Sequence, residues 1–191
     1  MKVSKEKAAE NRARILTAAA RLFREHGLAG VGVDALAEAA GMTHGSLYSQ
    51  FGSKERLAAE ALSEALALGD TRLLPEAGAV PGQDPVAVVV GRYLTAQHRD
   101  RPGEGCALAA LGSEIHRGPA SVRHAFTEGL RSLAARLAAL LPRRRRHAPE
   151  DAALALLSAL VGTLILARAV DDPGLSDRIL AASARHLTQA A

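Results

Sequence analysis

Residues 33–51, VDALAEAAGMTHGSLYSQF, set two short apolar-faced segments around a glycine turn and put small, hydrogen-bonding side chains at the start of the second. The chemistry available there is recognition by hydrogen bonding. A helix entering the major groove of DNA needs short side chains where its backbone approaches the bases and hydrogen-bonding groups along its N-terminal edge. It also needs an apolar stripe that holds it to the helix before it. Thr43, His44, Gly45 and Ser46 meet the first two needs; Leu47 and Phe51, four apart, meet the third. No acidic residue occurs between Gly41 and Ser53 to repel phosphates, and Lys54 adds a cation at the far end. The layout is that of a helix-turn-helix.

Elsewhere reactive side chains are sparse. Cys106 is the only cysteine, so an internal disulfide and a cysteine-built zinc site are both impossible, and a reducing cytosol is the natural compartment. It follows Pro102, Gly103, Glu104 and Gly105 at a predicted helix start, where the helix dipole favours thiolate. Two roles stay open for it: a sensor of oxidants or electrophiles, or an inert small hydrophobe. His98, His116 and His124 have no tight ligand spacing, which speaks against a metal site. There is no glycine-rich phosphate loop, no G-x-S-x-G, no H-E-x-x-H and no acid pair beside a histidine, so neither catalysis nor a cofactor is expected. The arginine run at 143–146, between Pro142 and Pro149, reads as a solvated interhelical loop rather than a second nucleic-acid patch.

The elements that must position the motif are helices. The chain has 191 residues, 48% of them apolar, which is enough for one good core and a small appended head but not for two full-sized domains. Its net charge of +4 is compatible with an anionic partner without demanding one. Strand alternation is absent, and apolar residues recur at three and four throughout, so the fold class is all-α with about nine helices. In the first helix Ile15, Ala18, Ala19, Leu22 and Phe23 form one face; Arg12, Arg14, Arg21 and Arg24 make a basic outer side, and Gly27 is the stop. A second helix runs from about 34 to 40 with Gly41 as its left-handed end. Thr43 caps a third to about 50, and Ser53 caps a fourth that carries Leu57, Ala61 and Leu62 inward. Residues 74–85 read as a proline- and glycine-rich loop. Prolines at the joins predict further helices at 85–99, 104–117, 119–141, 149–170 and 175–190. The domain boundary falls between residues 53 and 54, giving a head of 1–53 and a body of 54–191. Met1 to Arg14 is polar and unlike a secretory signal, and the uncharged stretch 152–167 is short of the ~20 residues of a bilayer span, so no membrane partner is expected.

The segment AAGMTHGSLYSQFGSKERL resembles the signature of the TetR/AcrR family of helix-turn-helix transcriptional regulators, with glycine turn, small polar run, tyrosine, phenylalanine and Ser-Lys-acid-x-Leu in that order. The likeness is best over residues 15–62. It implies that Thr43 and Tyr48 touch phosphates, that His44, Gly45 and Ser46 face bases, and that Lys54 anchors the DNA backbone, with Ser49 and Gln50 completing the DNA-binding set. Gln50 stands where the family often has histidine, and Gly32 where many members have a capping threonine.

For the body, the apolar 149–170 helix and the last helix are expected to meet their symmetry mates in a four-helix bundle, with Leu160, Gly162, Ile179, Ser183 and Leu187 in the interface, as the resemblance also implies. A homodimer presents two heads to double-stranded operator DNA with inverted half-sites. A small-molecule effector would release them by binding a conformation whose heads are wrongly spaced. Its pocket is expected within 85–141, lined by Tyr93, His98, Cys106 and Leu111 and by Glu114 and Phe126, and closed by Thr163 and Leu164. The rival reading is a helical adaptor or sensor dimer that does not bind specific DNA.

Overall fold

The computed structural model describes residues 5–74, 82–141 and 148–189, and among these the chain is all helical. α1 (Lys5–His26), α2 (Val33–Ala40) and α3 (His44–Phe51) form the head; α4 (Lys54–Leu73) leads into the body, made of α5 (Pro85–Tyr93), α6 (Ala96–Asp100), α7 (Ala107–Ile115), α8 (Ala120–Leu140), α9 (Pro149–Ala169) and α10 (Pro173–Gln189). The arginine run at 143–146 and residues 75–81 of the expected loop lie outside the described residues.

Among the described residues ten α-helices stand where about nine were expected, because the 85–99 segment is two. Thr95 is extended, and its hydroxyl accepts the His98 N–H at 3.0 Å, so it caps a new helix instead of continuing the old one. The 104–117 segment is likewise shortened: a 3-10 turn (Pro102–Glu104) comes first, and Cys106, also extended, is the N-cap of α7. α10 begins earlier than expected, at Pro173, with the Asp172 carboxylate accepting the Leu175 N–H at 3.0 Å.

One apolar core runs through head and body. Ile15, Ala19 and Phe23 of α1 meet Leu36 of α2 and Leu47 and Phe51 of α3; Leu57, Ala61 and Leu62 of α4 carry the core on toward Leu111, Leu137, Leu160 and Leu164, all buried. α4 packs along α8 and back against α1, α9 lies between α8 and α10, and α10 returns to α5. The α4–α8 approach depends on Gly129, since a Cβ there would fall 2.3 Å from Leu66 Cδ1. α9 is 21 residues long, apolar enough to cross a bilayer by length and composition, and longer than the uncharged stretch suggested. Its Ala153, Leu156, Leu157, Leu160 and Leu164 instead enter the protein's own core.

Leu47 has no solvent exposure and is one of only two buried side chains in α3. Leu47→Ala is expected to lower unfolding stability by about 2–5 kcal/mol, measured by chemical denaturation. A loss near zero would mean that α3 is not held by this stripe.

Candidate nucleic-acid interface

α3 is eight residues long, and its sequence sets both its ends and its orientation. α2 stops at Gly41, whose left-handed backbone (φ 64°, ψ 38°) lets its N–H reach Glu38 O at 2.9 Å while Met42 N–H reaches Ala37 O at 2.8 Å. A Cβ at Gly41 would be strained by that φ and would also meet an Arg14 guanidinium nitrogen at 2.7 Å. Thr43, extended, then caps α3 by accepting the Ser46 N–H at 3.2 Å. Gly52 closes the helix onto Tyr48 O, and the Ser53 hydroxyl accepts the Arg56 N–H at 3.1 Å to open α4. With Leu47 and Phe51 inward, Thr43, His44, Gly45, Tyr48 and Ser49 are exposed along one edge, and Ser46 is half-buried behind them.

Tertiary contacts alter what that edge offers. The His44 Nδ1 lies 2.7 Å from Asp34 Oδ1, and because a carboxylate only accepts, Nδ1 carries the proton and Nε2 is left for another partner. The acid-free stretch therefore acquires an acid from α2, which reading along the chain does not reveal. The His44 and Tyr48 rings lie 5.0 Å apart and tilted, one turn apart on the open face, with Tyr48 42% exposed. Ser49 donates its hydroxyl to Ser46 O at 2.9 Å. Gln50 is half-buried, and its amide donates toward Ala8 O on α1 at 3.4 Å, so this side chain is turned toward the protein. Gly32, before α2, has open space where a side chain would be, and no side chain caps that helix.

Arg12, expected on the basic outer side of α1, is half-buried and clamps α3. It donates to Gln50 O at 2.8 Å, pairs with the Glu60 carboxylate of α4, and sits 4.2 Å over the Phe51 ring. Arg24 donates to Gly103 O at 2.9 Å, and the Leu28 N–H donates to Glu114 Oε2 at 3.0 Å, so α1 is tied to the body at its C-terminal end. A sequence shows each of these as an arginine or acid on a helix face; the partners lie 38 to 86 residues away.

The residues expected to line an effector pocket divide. Tyr93, His98 and Cys106 come together with Arg168. His98 donates from Nδ1 to Tyr93 O at 2.7 Å and accepts the Cys106 N–H at Nε2 at 2.9 Å, so both ring nitrogens are spent on backbone. Its ring meets Tyr93 edge-on with centroids 4.5 Å apart. Tyr93 Oη is buried beside the Cys106 thiol, without a hydrogen-bond partner among the described residues. Burial, and then the neighbouring thiol, push the phenol well above its usual pKa. Leu111, Thr163 and Leu164 are buried, and Phe126 is half-buried across from Gly112. Glu114 faces away from this group, toward the head. His116 and His124 are exposed, and among the described residues no three metal-binding side chains gather.

The expected interface set needs one correction. Leu160 is fully buried in its own protomer, so it cannot meet a second copy. Gly162, Ile179, Ser183 and Leu187 are half-buried. The open apolar residues are Leu154, Ile165 and Leu166 of α9 and Leu175 of α10. Leu154 and Ile165 are about three turns apart on one side of α9, while Leu160 lies on the other.

Residues 15–61 match the family model described as bacterial regulatory proteins, tetR family. The fold is that of solved TetR-family regulators. The crystal structure of Escherichia coli NemR in its reduced form superposes with a TM-score of 0.80 at 22% identity, over 94% of this chain and 96% of that one. A TetR transcriptional regulator from Legionella pneumophila gives 0.77 at 18% identity, over 100% and 99%. A TetR-family regulator from Agrobacterium tumefaciens gives 0.75 at 21% identity, over 95% and 97%. No curated protein matches the chain in sequence.

Burial holds the His98 pKa below its ordinary 6.5, with Arg168 acting in the same direction and the bond to Tyr93 O opposing them. The unfolded chain therefore binds the proton more readily, and stability present above pH 6.5 is lost as pH falls through the lowered folded-state value. His98→Gln is expected to flatten that pH dependence in thermal unfolding, and an unchanged slope would remove His98 as its source.

Proposed function

We propose, for a chain that carries the TetR-family DNA-binding domain on the TetR-family fold, that it is a noncatalytic, cytoplasmic transcriptional repressor. It binds an inverted-repeat operator as a homodimer and is released by a small molecule. One observation carries this reading: the exposed edge Thr43, His44, Gly45, Tyr48 and Ser49, on a helix whose opposite side is locked into the core. Small residues at the N-terminal end allow the α3 backbone to approach base edges, the Thr43 and Tyr48 hydroxyls suit phosphate oxygens, and His44 Nε2, oriented by Asp34, suits a base edge. Lys54 at the start of α4 supplies a phosphate anchor. Gln50, turned toward α1, has the weakest claim to a DNA contact.

In this reading residues 1–53 are the reading head and 54–191 the sensing and dimerising body. Two heads must lie about 34–36 Å apart to enter successive major grooves on one side of the duplex. The apolar side of α9 and α10, with Leu154, Ile165, Leu166 and Leu175 open to solvent in the single chain, favours pairing with a second copy across a four-helix bundle. The unpartnered Tyr93 hydroxyl, buried beside Cys106 and His98, offers a polar handle for an effector.

Genomic fragments captured by the protein and sequenced are expected to yield an inverted repeat, lost with Tyr48→Ala and Lys54→Ala combined. No enrichment even at low salt would favour the adaptor or sensor reading. On the operator so found, Tyr48→Phe should weaken binding to all sequences alike, whereas His44→Ala should change the preferred sequence; a uniform loss for His44→Ala would end its role as a base reader. Leu166→Glu, at a position 58% exposed in the single chain, should convert the dimer to monomer in sedimentation velocity, and an intact dimer would place the interface elsewhere.

A further inference from the structure

A cleft of about 640 Å³ opens where the head meets the body, away from the buried Tyr93 group. Four short stretches wall it: the α1–α2 turn, the first turn of α4, the end of α7 and the start of α8. Its floor is apolar, formed by Leu28, Ala58 and Val122, the last two buried. Its rim carries Lys54 and Arg117 together with Glu55 and Glu114.

The four charges are not equally available. Glu55 Oε1 accepts the Ser121 hydroxyl at 2.6 Å, and Glu114 Oε2 accepts the Leu28 N–H at 3.0 Å, so each acid is already oriented by the protein. Lys54, half-buried, has no hydrogen bond or ion pair among the described residues, and Arg117 has only a 3.5 Å contact with Ser113 O. Each acid is thus held in place by one bond from the protein and keeps a second oxygen, whereas the donors of the two cations are largely uncommitted. A cleft with an apolar floor and two free cationic donors fits a ligand that joins a carboxylate to a short hydrocarbon tail.

We propose that this head–body cleft binds an amphipathic carboxylate, its carboxylate on Arg117 and Lys54 and its tail on Leu28, Ala58 and Val122. Occupancy works against DNA, since a carboxylate on Lys54 neutralises the cation that anchors a phosphate, and DNA in turn weakens the ligand by the same factor. That second half rests on the DNA-binding reading above; the site itself does not.

The test uses octanoate as the probe and isothermal titration calorimetry on the full chain without DNA. Saturable binding is expected, reduced roughly tenfold or more by Arg117→Gln, as for loss of a charge-assisted hydrogen bond, partly restored by Arg117→Lys, and unaffected by Tyr93→Phe. Thermal unfolding of each variant checks that it is folded. No saturable binding, equal binding of octyltrimethylammonium, or octanoate affinity lost in Tyr93→Phe but kept in Arg117→Gln would overturn the site. In fluorescence anisotropy on the operator, saturating octanoate should weaken wild-type DNA binding about fivefold or more and leave Arg117→Gln unaffected. Unchanged wild-type affinity would overturn the coupling. If no DNA binds even without octanoate, the DNA reading fails while calorimetry still decides the site.

Discussion

α3 cannot hold its own shape. Eight residues are well below the roughly 12–15 at which an isolated helix becomes even marginally stable in water, and three of its eight are glycine or serine, with poor helix propensity. Its conformation therefore comes from the burial of Leu47 and Phe51 against the rest of the head, with caps at Thr43 and Gly52 satisfying its ends. Whatever the exposed edge does follows from that burial, because a helix rotated by one residue would offer leucine where it now offers tyrosine. The Arg12 clamp enforces the same register from outside, joining the Gln50 carbonyl, the Phe51 ring and Glu60 through one guanidinium.

The head is not a bead on a string. α4 belongs to both halves, packing on α1 at one end and along α8 over its length, and the core is continuous from Ile15 to Leu164. At the C-terminal end of α1 the links turn polar: Arg24 to Gly103 O and Glu114 to the Leu28 N–H. Polar links of this kind depend on direction in a way that apolar packing does not, and they join the end of α1 and the α1–α2 turn to α7 and the turn before it. The cleft bordered by Lys54 and Arg117 lies on this same seam. Deeper in the body, His98 uses both ring nitrogens to staple the end of α5 to the start of α7, and Arg168 of α9 donates to the His98 and Arg99 carbonyls, at 2.6 and 3.0 Å. Three segments that the chain separates are fixed there by side chains bonded to backbone groups.

What the sequence determined by itself was local. Periodicity of three and four made the chain helical; Gly41, Thr43 and Ser53 set the turn and the caps of the motif, and Leu47 with Phe51 identified its buried side, because capping and helix phase are matters of neighbours within a few residues. Tertiary structure decided what depends on distant partners. It made Arg12 a clamp instead of a surface charge, turned Gln50 onto α1, brought Asp34 to His44, split the 85–99 helix at Thr95, and put Leu160 inside while leaving Leu154 and Ile165 outside. In an apolar helix such as α9 every side looks alike along the chain, so only the packing of α8 and α10 against it could say which side remains open.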